Sequence, residues 1–130
     1  MRTLTLLLAV LALSLTLSAC SDGGGQTGAP QTVQAYLQAR VAGDVDKMTT
    51  LSCSDWEPQV KIEASTFASM KAEFVGMQCK ESGTDGDATI VSCQGKIVTT
   101  YQGEKREWDL AAKQFRVVQQ DGEWRMCGYR

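Results

Sequence analysis

Residues 117–127 read Val-Val-Gln-Gln-Asp-Gly-Glu-Trp-Arg-Met-Cys, and this stretch decides the reading of the chain. Asp121-Gly122 is its tightest hairpin signal, because a two-residue turn between strands needs backbone angles that Asp and Gly tolerate. Glu123 to Tyr129 is then the closing strand and Arg106 to Gln120 the strand before it. Further outward, Gln102-Gly103-Glu104-Lys105 forms a turn, and Ala88 to Tyr101 a long strand rich in Val, Ile and Thr. The turn-rich stretch Ser82 to Asp87 joins it to a first strand, Met77 to Glu81. Four antiparallel strands result.

Before Gly76 the pattern is helical. Val33, Tyr36, Leu37, Arg40 and Val41 share one face at i, i+3, i+4, i+7 and i+8, starting from Gln31. Gly43 ends this helix, and Asp44 can cap a short second one through Val45, Met48 and Leu51. Ser54 or Asp55 can cap a third helical stretch through about Lys71, with Pro58 in its first turn and Val60, Phe67, Met70 and Phe74 apolar. Two or three helices followed by a meander predict an α+β domain, the helices packed on one face of a curved four-stranded sheet.

Five cysteines stand in the chain, and histidine is absent. Cys20 follows Leu17-Ser18-Ala19, after a start carrying Arg2 and an apolar run from Leu4 to Leu17. That layout matches a secretory signal, and the cysteine after the small residues resembles the lipobox of bacterial lipoproteins. The resemblance implies a signal peptide over 1–19, cleavage before Cys20, and a lipid on its thiol that anchors the protein to the cell membrane on the extracytoplasmic side. Residues 20–30 then form the anchor and a Gly-rich tether, and residues 31–130 one domain. The other four cysteines, in an exported domain, read as two disulfides with three possible connectivities. Cys79 and Cys93 flank the Ser82–Asp87 stretch and fall nearly opposite in a hairpin, which favours their pairing and leaves Cys53 for Cys127.

The run Val33 to Asp44, a helix ending in Gly-Asp, resembles the opening of nuclear-transport-factor-2-like (cystatin-like) domains. The ending Val117 to Cys127 resembles their last two strands. More narrowly, the chain is similar to small bacterial lipoproteins of unknown function with a Cys after the second helix and another in the final strand. Cys53 and Cys127 occupy those places, which supports their pairing. The resemblance implies a cone-shaped domain over residues 31–130.

Composition excludes several chemistries. Lys and Arg number 13 against 15 Asp and Glu, and the densest cationic cluster, Lys105-Arg106, is flanked by Glu104 and Glu107. No basic stripe of the kind nucleic acids need is present. Without histidine or a C-x-x-C pair the sequence offers no metal site, and no cofactor motif stands out: Gly23-Gly24-Gly25 lacks the strand-turn-helix context of a phosphate loop. Some enzymes of the resembled superfamily are isomerase- or dehydratase-like and hold an acid/base group in the cone. Here Asp109 and Asp55 are the available carboxylates and Tyr36 and Tyr101 the available phenols. Asp55 reads as a helix cap, Asp109 as a solvated strand charge and Tyr36 as core. Tyr36, Trp56, Tyr101, Trp108 and Asp109 are therefore the candidate pocket residues, with no catalytic assignment.

Strict alternation along the third strand sets Trp108 and Leu110 against Phe115 and Val117, and along the second Ile90 and Val98 against Val91 and Ile97. Both sheet faces then carry apolar residues, through a bulge or because the second face meets a partner. The sequence leads to a membrane-tethered binding or interaction module, its partner a small apolar ligand, an envelope protein or a second copy through the second sheet face. A small enzyme using a carboxylate in the cone, and a structural spacer of the envelope, are the alternatives.

Overall fold

The computed structural model describes residues 28–130. The expected signal peptide, Cys20 and most of the expected tether lie outside the described residues. Helix α1 spans Ala29–Ala42, α2 Val45–Thr50 and α3 Glu57–Ser65. Five strands follow: β1 Lys71–Asp85, β2 Ala88–Tyr101, β3 Glu104–Asp109, β4 Gln114–Gln120 and β5 Glu123–Tyr129, with a 3-10 turn at Leu110–Ala112 between β3 and β4. The sheet order is β1-β2-β4-β5, and β3 pairs with the far half of β2, so β2 is the spine of an antiparallel sheet.

Local chemistry sets the helix ends. Gly43 adopts φ 69° and closes α1, its neighbour Asp44 accepting a hydrogen bond from the Lys47 amide to open α2. The first helix begins at Ala29, two residues ahead of the expected Gln31, because Pro30 fits a first turn whose amide has no helical partner. The third helix is shorter than expected. It ends at Ser65, and Lys71 to Val75 enters β1, paired with Thr100 to Lys96. Pro58 does lie in its first turn, but Trp56 takes the cap position without a side-chain bond. Asp55 is exposed, and Ser54 exchanges hydrogen bonds with the Gln120 side chain instead of capping.

The strands also depart from expectation at three places. β1 runs far past Met77–Glu81 in both directions, so the Ser82–Asp87 stretch contracts to a tight turn at Gly86-Asp87. The next turn narrows to Gln102-Gly103, with φ of 49° and 82°, the same left-handed pair that Asp121-Gly122 adopts at 55° and 78°. The expected third strand is two strands, β3 and β4, broken at Leu110–Ala112, which makes the sheet five-stranded. That break resolves the two-faced pattern of the third strand, while on β2 Ile90 stays buried on the face opposite Val91, outside the main core. The turn shifts the alternation by one residue, so Leu110, Phe115 and Val117 all join one core with Val91 and Ile97, and Trp108 meets Phe67 on the same side.

This core is built on the helix-facing side of the sheet, from Val33, Tyr36 and Leu37 of α1, Met48 of α2, Val60 of α3 and the inward residues of the strands. Each large apolar side chain so buried contributes about 1.5–3 kcal/mol. Curvature comes from β1 and β2. The register slips between Val75 and Gln78, and opposite it Gly95 sits at φ 93° with no room for a side chain, since a Cβ there would lie 2.5 Å from the Gly76 carbonyl oxygen. At the other end of the sheet, the Leu51–Cys53 segment covers the β5 edge, the Met126 amide donating to the Leu51 carbonyl at 2.7 Å and the Cys53 amide to the Met126 carbonyl at 2.8 Å. The Cys53–Cys127 disulfide fastens this edge, and Cys79–Cys93 joins directly opposed residues of β1 and β2, as the spacing predicts.

Candidate functional site

The concave side of the sheet carries two polar clusters, one deep and one at the rim. The deep one is centred on Glu63, on α3 between the buried positions Val60 and Ala64. Its Oε2 accepts hydrogen bonds from the Tyr36 hydroxyl at 2.7 Å and the Tyr129 hydroxyl at 2.8 Å, while the Trp56 indole N–H donates to the Tyr36 oxygen at 3.1 Å. Arg40, one helical turn beyond Tyr36, brings its Nε to 3.8 Å from the same oxygen and donates from a terminal nitrogen to the Tyr129 hydroxyl at 3.4 Å. Its Nε–H is buried without a hydrogen-bond partner among the described residues, and the guanidinium lies over the Phe67 ring at 5.4 Å.

Neighbouring rings close this cluster. Trp56 meets Tyr129 edge-on at 5.4 Å, Phe115 flanks Tyr129 at 5.5 Å, and Lys113 sits over its ring. Gly128, at φ 118°, leaves the space that Trp56 fills, since a Cβ there would lie 3.4 Å from the indole. Burial, reinforced by the bond to Glu63, pushes the Tyr36 hydroxyl well above its ordinary pKa. Burial also raises Tyr129, the Arg40 charge opposing and Glu63 supporting the shift. Both phenols therefore remain neutral donors, and the Glu63 Oε2 is occupied by three partners from two elements, α1 and β5.

The rim cluster lies where the β2–β3 hairpin extends past the helices. Its floor is three cross-strand pairs: Ile97 with Trp108, Thr99 with Arg106 and Tyr101 with Glu104. Met70, between α3 and β1, forms a wall, and the trough bounded by Met70, Thr99, Tyr101, Glu104, Arg106 and Trp108 has a volume of about 280 Å³. The Trp108 indole N–H donates to the Thr99 hydroxyl at 3.1 Å, and its ring meets Phe67 edge-on. Trp108 nevertheless remains 43% exposed and Tyr101 50%, whereas Tyr36 is wholly buried. Phe67 touches both Arg40 and Trp108, so the two clusters share one ring as their partition.

The five candidate residues thus separate into three places. Tyr36 and Trp56 belong to the deep cluster, Tyr101 and Trp108 to the trough. Asp109 lies on the opposite sheet face beside Lys96 and Glu107, and its carboxylate accepts from the Ala111 amide at 2.8 Å to cap the 3-10 turn. Sequence reading missed Glu63, Tyr129 and the trough's Glu104 and Arg106. The signal for Glu63 was its position on α3, three residues after Val60 and next to Ala64, where a charge needs partners.

No protein-family model and no curated protein matches the chain. A solved structure of a designed NTF2 protein, carrying five substitutions, matches with a TM-score of 0.52 at 14% identity, over 75% of this chain and 92% of that one. The fold is therefore nuclear-transport-factor-2-like: three helices packed on the concave face of an antiparallel sheet.

Proposed function

We propose that this chain is an extracytoplasmic binding module, tethered to the membrane through lipid on Cys20, that offers the trough at its rim to a ligand or envelope partner. The observation that carries the reading is the exposure of Trp108 and Tyr101 on the sheet face whose other large apolar residues are buried or partly buried in the core. Indole and phenol rings left in water are costly unless something covers them, and such surfaces are where binding concentrates. The two disulfides support an oxidising compartment outside the cytoplasm. Replacing Tyr101 with a photoreactive phenylalanine in cells tests the site: an adduct should form there and not at Ile62, an exposed residue on α3. Equal labelling at both positions would overturn the reading. The anchor has its own test, since Cys20→Ala should release the domain from the membrane fraction or leave the precursor uncleaved.

One observation favours a second, enzymatic reading: a carboxylate, Glu63, does stand among phenols in the cone. It is supported by that arrangement alone, and a ligand seated against Glu63 in place of the Tyr129 hydroxyl is what it requires. A homodimer through the second sheet face rests on less, because the shift at Leu110–Ala112 accounts for the apolar pattern of the third strand and Ile90 of β2 is already buried, leaving Val75 as an exposed apolar residue beside Lys96 and Glu107. Sedimentation of the purified protein measures it directly.

A further inference from the structure

We infer that the trough binds a neutral sugar ring, a pyranose unit of a glycan, with Trp108 and Tyr101 as stacking platforms and Arg106 and Glu104 as hydroxyl-binding arms. The inference rests on the binding-module reading and names its ligand. Four features select this chemistry. The volume, about 280 Å³, lies at the small end of ligand pockets, so one ring with its substituents fills it. Trp108 has already given its N–H to Thr99, so what it offers a ligand is ring surface. Aromatic faces are electron-rich and attract the weakly positive C–H hydrogens that line one face of a pyranose.

The polar arms decide the charge of the ligand. Arg106 is a donor-only fork and Glu104 an acceptor-only carboxylate, and neither is paired with another charged side chain among the described residues. A hydroxyl both donates and accepts, so a polyol satisfies both arms. A phosphate or carboxylate ligand gains Arg106 but is repelled by Glu104, and a cation meets the reverse. An α-zwitterion carries both charges, yet holds them on adjacent carbons. Glu104 and Arg106 stand two residues apart on one strand face, roughly 7 Å, which suits hydroxyls on opposite sides of a ring.

Calorimetric titration of the full chain in detergent with chitotriose and with cellotriose tests this. Binding of at least one of them is expected, weakened roughly tenfold by Trp108→Ala and by Tyr101→Ala, and weakened again by Glu104→Gln. The Tyr101 variant guards against a folding defect, because its side chain is half in solvent. Absence of binding to both sugars at millimolar concentration would overturn the inference. So would sugar binding unaffected by either aromatic substitution. A zwitterionic dipeptide or a short-chain fatty acid is titrated in parallel: if one of these binds in a Trp108-dependent way while the sugars do not, the glycan assignment fails and the binding-module reading survives. If the in-cell adduct at position 101 is also missing, both fail together.

Discussion

The deep cluster and the rim trough lie on the same face of one sheet, share Phe67 as a partition, and use the same residue types: an arginine, a glutamate, a tyrosine and a tryptophan. Their difference lies in where the hydrogen bonds go. At Glu63 the acidic oxygen is met by Tyr36, Tyr129 and Arg40, and the tryptophan N–H is spent on Tyr36. At the rim Arg106 and Glu104 face the trough with no ionic partner among the described residues, and two aromatic rings stay in water. A polar group taken out of water must be paired, so the deep cluster holds the fold together. The rim keeps its polar and aromatic capacity available to something outside the chain.

The contrast makes the deep end fragile and the rim tolerant. The largest loss is expected from Cys53→Ser with Cys127→Ser, which frees the segment leading to Trp56 and opens a loop of sequence separation 74. The chain-entropy relation gives about 4 kcal/mol, read by urea unfolding, against about 3 kcal/mol for the Cys79–Cys93 loop of separation 14. Glu63→Ala comes next, at about 3 kcal/mol, because it strands two buried phenols and the Arg40 charge. Tyr36→Phe removes one bond to Glu63 and the acceptor of the Trp56 N–H, for about 1–2 kcal/mol.

Alkaline unfolding sharpens the same point. Tyr36 and Tyr129 both have folded-state pKa values raised above the ordinary 10.0, so their contribution is fully present below pH 10.0. Above it the unfolded chain releases protons that the folded chain keeps. Stability then falls by about 1.4 kcal/mol per phenol for each pH unit. Thermal melts between pH 9 and 12 measure this, and Tyr36→Phe should roughly halve the slope. At the small end, Trp108→Ser costs about 1 kcal/mol and Tyr101→Ser less than about 0.5. A large loss at either would mean that the rim is scaffold as well.

How far the sequence reaches differs between the two regions for physical reasons. Elements fixed by local chemistry were legible: the Gly43–Asp44 junction, β2, β5 and the Asp121-Gly122 turn all fall where residue preference puts them. The end of α3 was not, because Phe67, Met70 and Phe74 keep a helical spacing although the helix stops at Ser65 and Phe74 pairs with Ile97 in the sheet. Nor was the break between β3 and β4, since Leu110-Ala111-Ala112 contains no Gly or Pro, and Asp109 marks it only as a cap. Tyr36 and Trp56 could be nominated from type and spacing. The meeting of Tyr36 and Tyr129 at Glu63 could not, because they stand 27 and 66 residues from it and only the closed cone brings them together. The rim was half legible: its aromatic residues stand out by type, whereas Glu104 and Arg106 read as ordinary charges near a turn.

One spectrum reads both regions at once. The chain has three tryptophans, and the indole N–H groups of Trp56 and Trp108 sit one in each cluster, bonded to Tyr36 and Thr99. In a nitrogen-proton correlation spectrum of the labelled protein, titration with chitotriose should move the Trp108 indole signal progressively and leave the Trp56 signal in place. Movement of the Trp56 signal with Trp108 unmoved would contradict the account, showing that ligand enters the deep cluster and that Glu63 faces a substrate.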